Sequence, residues 1–320
     1  MGGRLTVTEQ ITTGDFVAFI SYLNLLTWPM MAMGWVTNLV QRGAACMRRI
    51  NRILEEVPEI RDPSPGVSAS RIRGEISIRG LTLRHPGQRT DVLRDICLGI
   101  HPGETVAVVG PVGCGKTTLL SVIPRILDPP PGTVFIDGND IRDIPLGVLR
   151  AHIGFVTQEV FIFSDTIRNN VLFGGRDVPP ETLTAALRAA DILEYVESLD
   201  KGPDTLIGER GVTLSGGQRQ RLTIARALIH HPEILVLDDA LSMVDNRTEE
   251  RILGRILAMR GRSTNLIVSH RPSTIHRAHR VLVMEKGRIV EEGRPEELLE
   301  AGGHYARLYE EHLLRMELEM

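Results

Sequence analysis

Between Asp15 and Arg42 the chain runs 26 residues without a formal charge, FVAFISYLNLLTWPMMAMGWVTNLVQ. A helix of that length exceeds the ~20 residues needed to cross a bilayer. The run carries Ser21, Asn24, Thr27, Pro29 and Asn38. Such residues suit a helix packed on other helices or lining a polar path better than a lone lipid anchor. Arg42, Arg48, Arg49 and Arg52 follow the run and only Arg4 precedes it, which puts its C-terminal side in the cytoplasm. The competing readings are a buried helix of a soluble protein and a secretory signal. The second fits less well, because the run is long and ends at Arg42 where a small-residue cleavage site would be needed.

The apolar spacing of Ile50, Ile53, Leu54 and Val57 continues the helix beyond the run. RDPSPGVSAS (61–70) then reads as a linker, with its prolines, glycine and serines. From GEISIRGLTL onward short β-rich runs alternate with helical ones: ETVAVVG, KTTLLSVI, HIGFVTQ, EILVLDD, NLIVSH and RVLVMEKGRIVEEG. This alternation predicts an α/β domain with a largely parallel sheet. PPETLTAALRAADILEYVESLD (179–200) reads as a helical insertion. The C-terminal PEELLEAGGHYARLYEEHLLRMELEM reads as terminal helices whose charged face is expected to be a solvated surface.

Charge and composition narrow the partners. With 37 basic against 40 acidic residues the net charge is −3, and 4% aromatics leave little base-stacking surface. No nucleic-acid partner is expected. Cys46, Cys97 and Cys114 are odd in number and far apart, which suits reduced thiols rather than a disulfide framework or a metal site.

GPVGCGKTT, comprising Gly110, Pro111, Val112, Gly113, Cys114, Gly115, Lys116, Thr117 and Thr118, fits G-x-x-x-x-G-K-[ST] between an apolar strand and an apolar helix start. In that context the glycines let backbone N–H groups close around phosphates, and the helix N-terminus adds positive potential. Lys116 is assigned to the β- and γ-phosphates and Thr117 to Mg²⁺. ILVLDD supplies a second metal-side acid, Asp238, at the end of a strand. These two motifs imply a P-loop nucleotidase. LSGGQRQR then presents Ser215, Gly216 and Gly217 at a helix start, a second anion site that makes sense if it serves the nucleotide of another copy of the domain.

With these motifs in this order, residues 72–310 resemble the nucleotide-binding domain of ATP-binding cassette (ABC) transporters. The resemblance implies an α/β P-loop NTPase: a RecA-like core with an antiparallel β-subdomain and a helical subdomain over about 159–214, preceded by one long transmembrane helix. It divides the chain into a partial transmembrane domain (1–60), a linker (61–71), the ATP-binding domain (72–310) and a helix end (311–320). It implies ATP and Mg²⁺ as ligands. Gln158 matches the Q-loop, with a place at the metal; ALSMVD matches the D-loop; His270 matches the switch histidine. Leu214, Ser215, Gly216, Gly217 and Gln218 match the signature that completes a partner's site. TLIGERG (205–211) resembles the loop preceding that signature in exporters, with Leu206 where they often carry glutamate. Residues 5–57 resemble the last transmembrane helix of an exporter half-transporter, which places the chain at the plasma (inner) membrane with its ATP-binding domain in the cytoplasm.

Two positions depart from the family pattern. His85 stands where exporters usually stack a tyrosine on adenine; it either stacks with less area or is a solvated loop histidine. Asp239 stands where a glutamate usually polarises the attacking water. The shorter side chain draws the carboxylate back by ~1.5 Å, and a ~1 Å misplacement costs on the order of 10²-fold in rate. ATP binding is therefore expected with slow hydrolysis at the chain's own site, beside an intact signature. That combination resembles one half of a heterodimeric exporter, preferred here to a homodimer. The alternative from another class is a nucleotide-binding regulatory module that rarely hydrolyses. An exporter half normally has six transmembrane helices and this chain has one, so a truncated reading frame is read first, ahead of a fragment or a late start, and the chain by itself is expected to bind ATP without transporting.

Overall fold

The structure, a computed structural model, describes residues 3–4, 12–62, 72–173, 178–208, 211–258 and 263–318. Most of the linker (63–71) and Glu209 and Arg210 lie outside the described residues. The chain divides into two units, 1–59 and 60–320.

In the first unit a helix runs from Thr13 to Leu54, 42 residues long and with no residue buried. Thr12 and Asp15 form a capping box that satisfies the first free N–H groups. The helix carries the charge-free run unbroken through Pro29 and is long and apolar enough to cross a membrane. Its hydroxyls turn inward. Ser21 Oγ donates to Val17 O at 2.9 Å, Thr27 Oγ1 to Leu23 O at 3.0 Å and Thr37 Oγ1 to Met33 O at 2.7 Å. Polar groups satisfied within the helix in this way are compatible with hydrocarbon.

The second unit is built on two sheets. An antiparallel one has the order β2-β1-β4-β5, with β1 Ile76–Leu83, β2 Leu93–Ile100, β4 Val134–Ile136 and β5 Asn139–Asp140. The other has six strands in the order β10-β9-β3-β8-β7-β6: β3 Thr105–Val109, β6 Ile153–Val156, β7 Ile234–Asp238, β8 Thr264–Val268, β9 Arg280–Glu285 and β10 Arg288–Gly293. Only β10 runs antiparallel to its neighbour. β3, β7 and β8 are buried at every position, as strands covered on both faces must be. β9 turns into β10 through Lys286 (φ 47°) and Gly287 (φ 81°), the two positive φ values of a type I′ hairpin.

The insertion is helical as expected, with helices Ile167–Leu172 and Pro180–Ala189 packed on the helix Gly216–Leu228 and the helix Leu193–Glu197 packed on Pro180–Ala189. Asn170, fully buried, organises it. Its Oδ1 accepts from Phe163 N at 2.9 Å and from Arg226 Nη2 at 3.1 Å, while Nδ2 donates to Phe163 O and Thr166 O at 3.0 Å each. Arg226 also donates to Asn170 O at 2.7 Å and lies over the rings of Phe163 and Phe173.

The C-terminal segment corrects the expectation of a merely solvated surface. Tyr305, Ala306 and Leu298 are buried, and Tyr305 and Leu298 join Val109, Ile275 and Val283 in a third core cluster. The charged positions are spaced so that an apolar stripe still faces inward, which the high charge count conceals. The helix His304–Leu318 passes residue 310 without a break.

Asn170→Ala removes the acceptor shared by Phe163 N–H and the Arg226 guanidinium. The 320-residue chain in detergent should lose about 2 kcal/mol of stability, read as a lower urea midpoint, with the helical insertion exchanging its amides first.

Candidate functional site

Four loops leave the same edge of the parallel sheet, the one formed by the C-terminal ends of its strands. After β3 comes Gly110–Gly115, at the end of β7 Asp238 followed by Asp239, after β8 Ser269–His270, and after β6 Thr157–Gln158. This edge is where open α/β sheets place their ligands.

The loop after β3 is shaped by what surrounds it. Gly110 has φ 149°, and a Cβ there would lie 2.2 Å from Met284 O. Gly115 has φ 108°, and a Cβ on it would meet Leu93 Cδ2 at 3.0 Å and Val92 O at 3.1 Å. Gly113, at φ 80°, meets nothing and needs only the left-handed backbone. The helix Lys116–Val122 begins directly behind, so its free N–H groups point into the loop. Lys116 Nζ donates to Gly110 O at 2.6 Å and Pro111 O at 3.0 Å, closing the loop on itself. Cys114 is buried, 3.9 Å from Nζ through its Sγ.

Around this loop lies a cleft of about 370 Å³. Of the residues singled out from sequence it gathers His85, Val112, Gly113, Gly115, Lys116, Thr117, Thr118, Gln158, Asp238, Asp239 and His270; Gln88, Val92 and Val268 complete it. His85 Nε2 lies 3.2 Å from Thr118 Oγ1, so the histidine stands over the first turn of the helix behind the loop. Gly110 and Pro111 face a neighbouring cavity under Tyr305. His270 lines both, and its ring stacks on His312 at 5.6 Å.

Asp238 is 2% exposed. Burial pushes its carboxyl above the usual range, opposed by a side-chain hydrogen bond with Thr117. Burial raises Asp239 as well, opposed first by the charge of Arg271 and then by Lys116. Asp239 has φ 49°, a left-handed backbone that Asp and Asn tolerate better than longer side chains. Thr117 and Asp238 thus offer two hard oxygen donors in contact, the set Mg²⁺ takes together with water and phosphate oxygens. Gln158 is exposed at the margin of the cleft.

The signature residues Leu214, Ser215, Gly216, Gly217 and Gln218 do not line this cleft. Ser215 caps the helix Gly216–Leu228: its Oγ accepts from Gln218 N at 3.3 Å, and Gln218 Oε1 accepts from Ser215 N at 2.8 Å. Gly217 has a steric reason beyond its bare N–H, and Gly216 packs against the flexible end of the Met243 side chain. A Cβ on Gly216 would lie 2.8 Å from Met243 Sδ, and one on Gly217 3.0 Å from Met243 O. The loop after Asp239 therefore rests directly on the start of the signature helix.

Sequence reasoning assigns no role to the groups that hold this contact. Gln220, fully buried, accepts from Met243 N at 2.9 Å through Oε1 and donates from Nε2 to Ser242 Oγ at 3.1 Å. Glu249, 1% exposed, bonds Arg271 and Thr274. Its signal is legible in hindsight: Glu249 falls in helical phase with the buried Ile252, Leu253 and Ile256 of the helix Asn246–Ala258.

Comparisons with known proteins bear on the family and the fold. The sequence profile of the ABC transporter domain matches residues 93–242. An ATP-dependent lipid A-core flippase of Aromatoleum aromaticum is 42% identical over 306 residues, covering 95% of this chain and 51% of the flippase. An uncharacterized ABC transporter ATP-binding protein, YknU, of Bacillus subtilis is 37% identical over 309 residues, 97% of this chain and 53% of that protein. The structure of a bacterial Atm1-family ABC exporter with ATP bound superposes with a TM-score of 0.80 at 33% identity, covering 94% of this chain and 53% of the exporter. The chain thus spans about half the length of the curated relatives it matches.

Gly110→Ala places a methyl against Met284 O at a φ that alanine avoids. It should cost about 3 kcal/mol of stability, measured by urea unfolding, whereas Gly132→Ala, with open space around it, should lose only the strain of its positive φ.

Proposed function

We infer, for a chain that belongs to the ABC transporter family, that it is the ATP-binding part of an exporter and couples ATP binding and hydrolysis to movement of a substrate across the membrane. The observation that carries this reading is the single cleft in which Lys116, Thr117, Asp238, Gln158 and His270 meet, in a chain whose long apolar helix precedes the nucleotide unit.

In this reading the loop N–H groups and the helix N-terminus hold the phosphates. Lys116 leaves the loop carbonyls for the β- and γ-phosphates. Thr117, Asp238 and Gln158 would hold Mg²⁺, which would neutralise phosphate charge; Gln158 and His270 would contact the γ-phosphate side. Asp239 orients the attacking water, from a carboxylate ~1.5 Å short of a glutamate's reach. His85 covers the base, with Gln88 beside it.

Ser215, Gly216 and Gly217 grip the nucleotide of a second half-transporter. An intact signature beside a shortened carboxylate favours a heterodimer in which this chain completes the partner's faster site. The helix Thr13–Leu54 belongs in the plasma (inner) membrane, with the nucleotide unit on the cytoplasmic side. The named activity of the flippase relatives makes an amphiphilic lipid the first substrate class to test. Asp239 also favours a second reading, a module that binds ATP and rarely turns it over.

One comparison separates the two. Asp239→Glu should raise steady-state ATP turnover by on the order of 10²-fold with affinity for ATP unchanged, and Lys116→Ala should abolish most binding. No turnover in either the aspartate or the glutamate form, alone or with a partner half, would leave the binding module as the function.

A further inference from the structure

Arg271, the residue after the switch histidine, has no role in the reading above. Its surroundings give it one. The buried carboxylate of Glu249 holds one arm of its guanidinium and is itself held by the Thr274 hydroxyl. The other arm, Nη2, donates to Ser242 O at 3.1 Å. Its backbone N–H donates to Ser269 Oγ at 3.1 Å. Ser242 lies three residues beyond Asp239, and its Oγ donates to Asp239 O at 3.0 Å.

Asp239 therefore sits on a short loop whose middle is held by the Arg271 cation as well as by Gln220. The tie is rigid because its anchor is rigid. A carboxylate with two partners and 1% exposure cannot turn away without leaving a charge unpaired in the interior. A guanidinium suits this bridge, since its planar fork reaches a carboxylate and a carbonyl at fixed angles. The cavity of about 220 Å³ behind Asp239, lined by Ser242, Glu249, Ser269 and Arg271, leaves room for the loop to drift if the bridge is cut.

We propose that Arg271, anchored by Glu249, is a positioning residue for hydrolysis: by holding Ser242 O it fixes the loop that aims Asp239 into the nucleotide cleft. This rests on the hydrolytic reading of the cleft. It assigns Arg271 no contact with nucleotide, so its removal should act on turnover and not on binding.

The test uses the 320-residue chain in detergent, in the Asp239 form and in the faster Asp239→Glu background. Arg271→Lys keeps the charge but loses the fork; Glu249→Gln keeps an acceptor for Arg271 in Oε1 while its amide donates to the Thr274 hydroxyl, and serves as the variant that retains the packing. Amide exchange across 239–244 should rise about tenfold in Arg271→Lys and about threefold or less in Glu249→Gln. Turnover of Arg271→Lys should fall about tenfold, with affinity for a fluorescent ATP analogue within twofold of the parent. Ser242→Ala cuts the second link to Asp239, so Arg271→Lys combined with Ser242→Ala should lose no more turnover than the worse single variant.

Unchanged exchange across 239–244 would overturn the proposal, as would additive losses in the cycle, or affinity falling in step with turnover. Absence of turnover in both parent forms would instead overturn the hydrolytic reading, and the exchange arm still decides whether Arg271 holds the loop.

Discussion

The nucleotide unit depends on three backbone segments meeting with no room for side chains between them. Gly287 of the β9–β10 turn donates its N–H to Cys114 O at 3.0 Å and accepts from Arg94 N at 2.8 Å. The phosphate loop, the hairpin and the start of β2 are thus stitched together at main-chain distance. A Cβ on Gly287 would lie 2.3 Å from Val92 O, and the glycines at both ends of the phosphate loop are hemmed in by the same two segments. The stitch joins the antiparallel sheet to the parallel one at the point where the loop must hold its N–H groups in place. Preorganised donors need no rearrangement when an anion arrives, and here the preorganisation comes from steric exclusion more than from side-chain contacts.

A second closure lies on the other side of Asp239. Met243 rests on Gly216 and Gly217, Gln220 bonds both Ser242 and Met243, and the whole loop spans only 240–245 between the acid pair and the next helix. So short a loop cannot shift its middle without moving its ends. The acid pair and the start of the signature helix are in this way joined through one short loop within one chain, although the two would serve different nucleotides in the dimer reading.

How much of this is legible in the sequence divides by the kind of signal. Strands β3, β7, β8 and β9 are apolar runs with flanking turns, and each lies where the pattern predicts it. β2, LRDICLGI, escapes the pattern because its charges and glycine break the alternation, and β4 and β5 have three and two residues, too short for any period to register. The cleft residues stand out because their types are demanded by phosphate chemistry at fixed spacing. Gln220, Glu249 and Arg271 do not, because they act through tertiary neighbours 22 to 29 positions away in sequence, and no local pattern encodes a partner at that distance. The C-terminal helix misleads for a related reason: Tyr305 and Ala306 carry the burial, with Leu308 and Tyr309 beside them, amid a run rich in charged residues.

The electrostatics of the acid pair bear on why aspartate stands at position 239. Two adjacent carboxylates, both pushed toward the neutral form by burial, face a site shaped for a triphosphate. Each ionised oxygen near the γ-phosphate repels it, and the repulsion grows in a cleft of low effective dielectric. A glutamate accepts that cost because its reach places the base against the water. Aspartate retracts the charge, easing the repulsion while the water is left less well aimed. The left-handed backbone at Asp239 suits the shorter side chain as well. In the reading proposed above, conformation and charge therefore point the same way, toward a site that would hold ATP longer than it splits it, beside a signature helix that would serve another subunit's nucleotide.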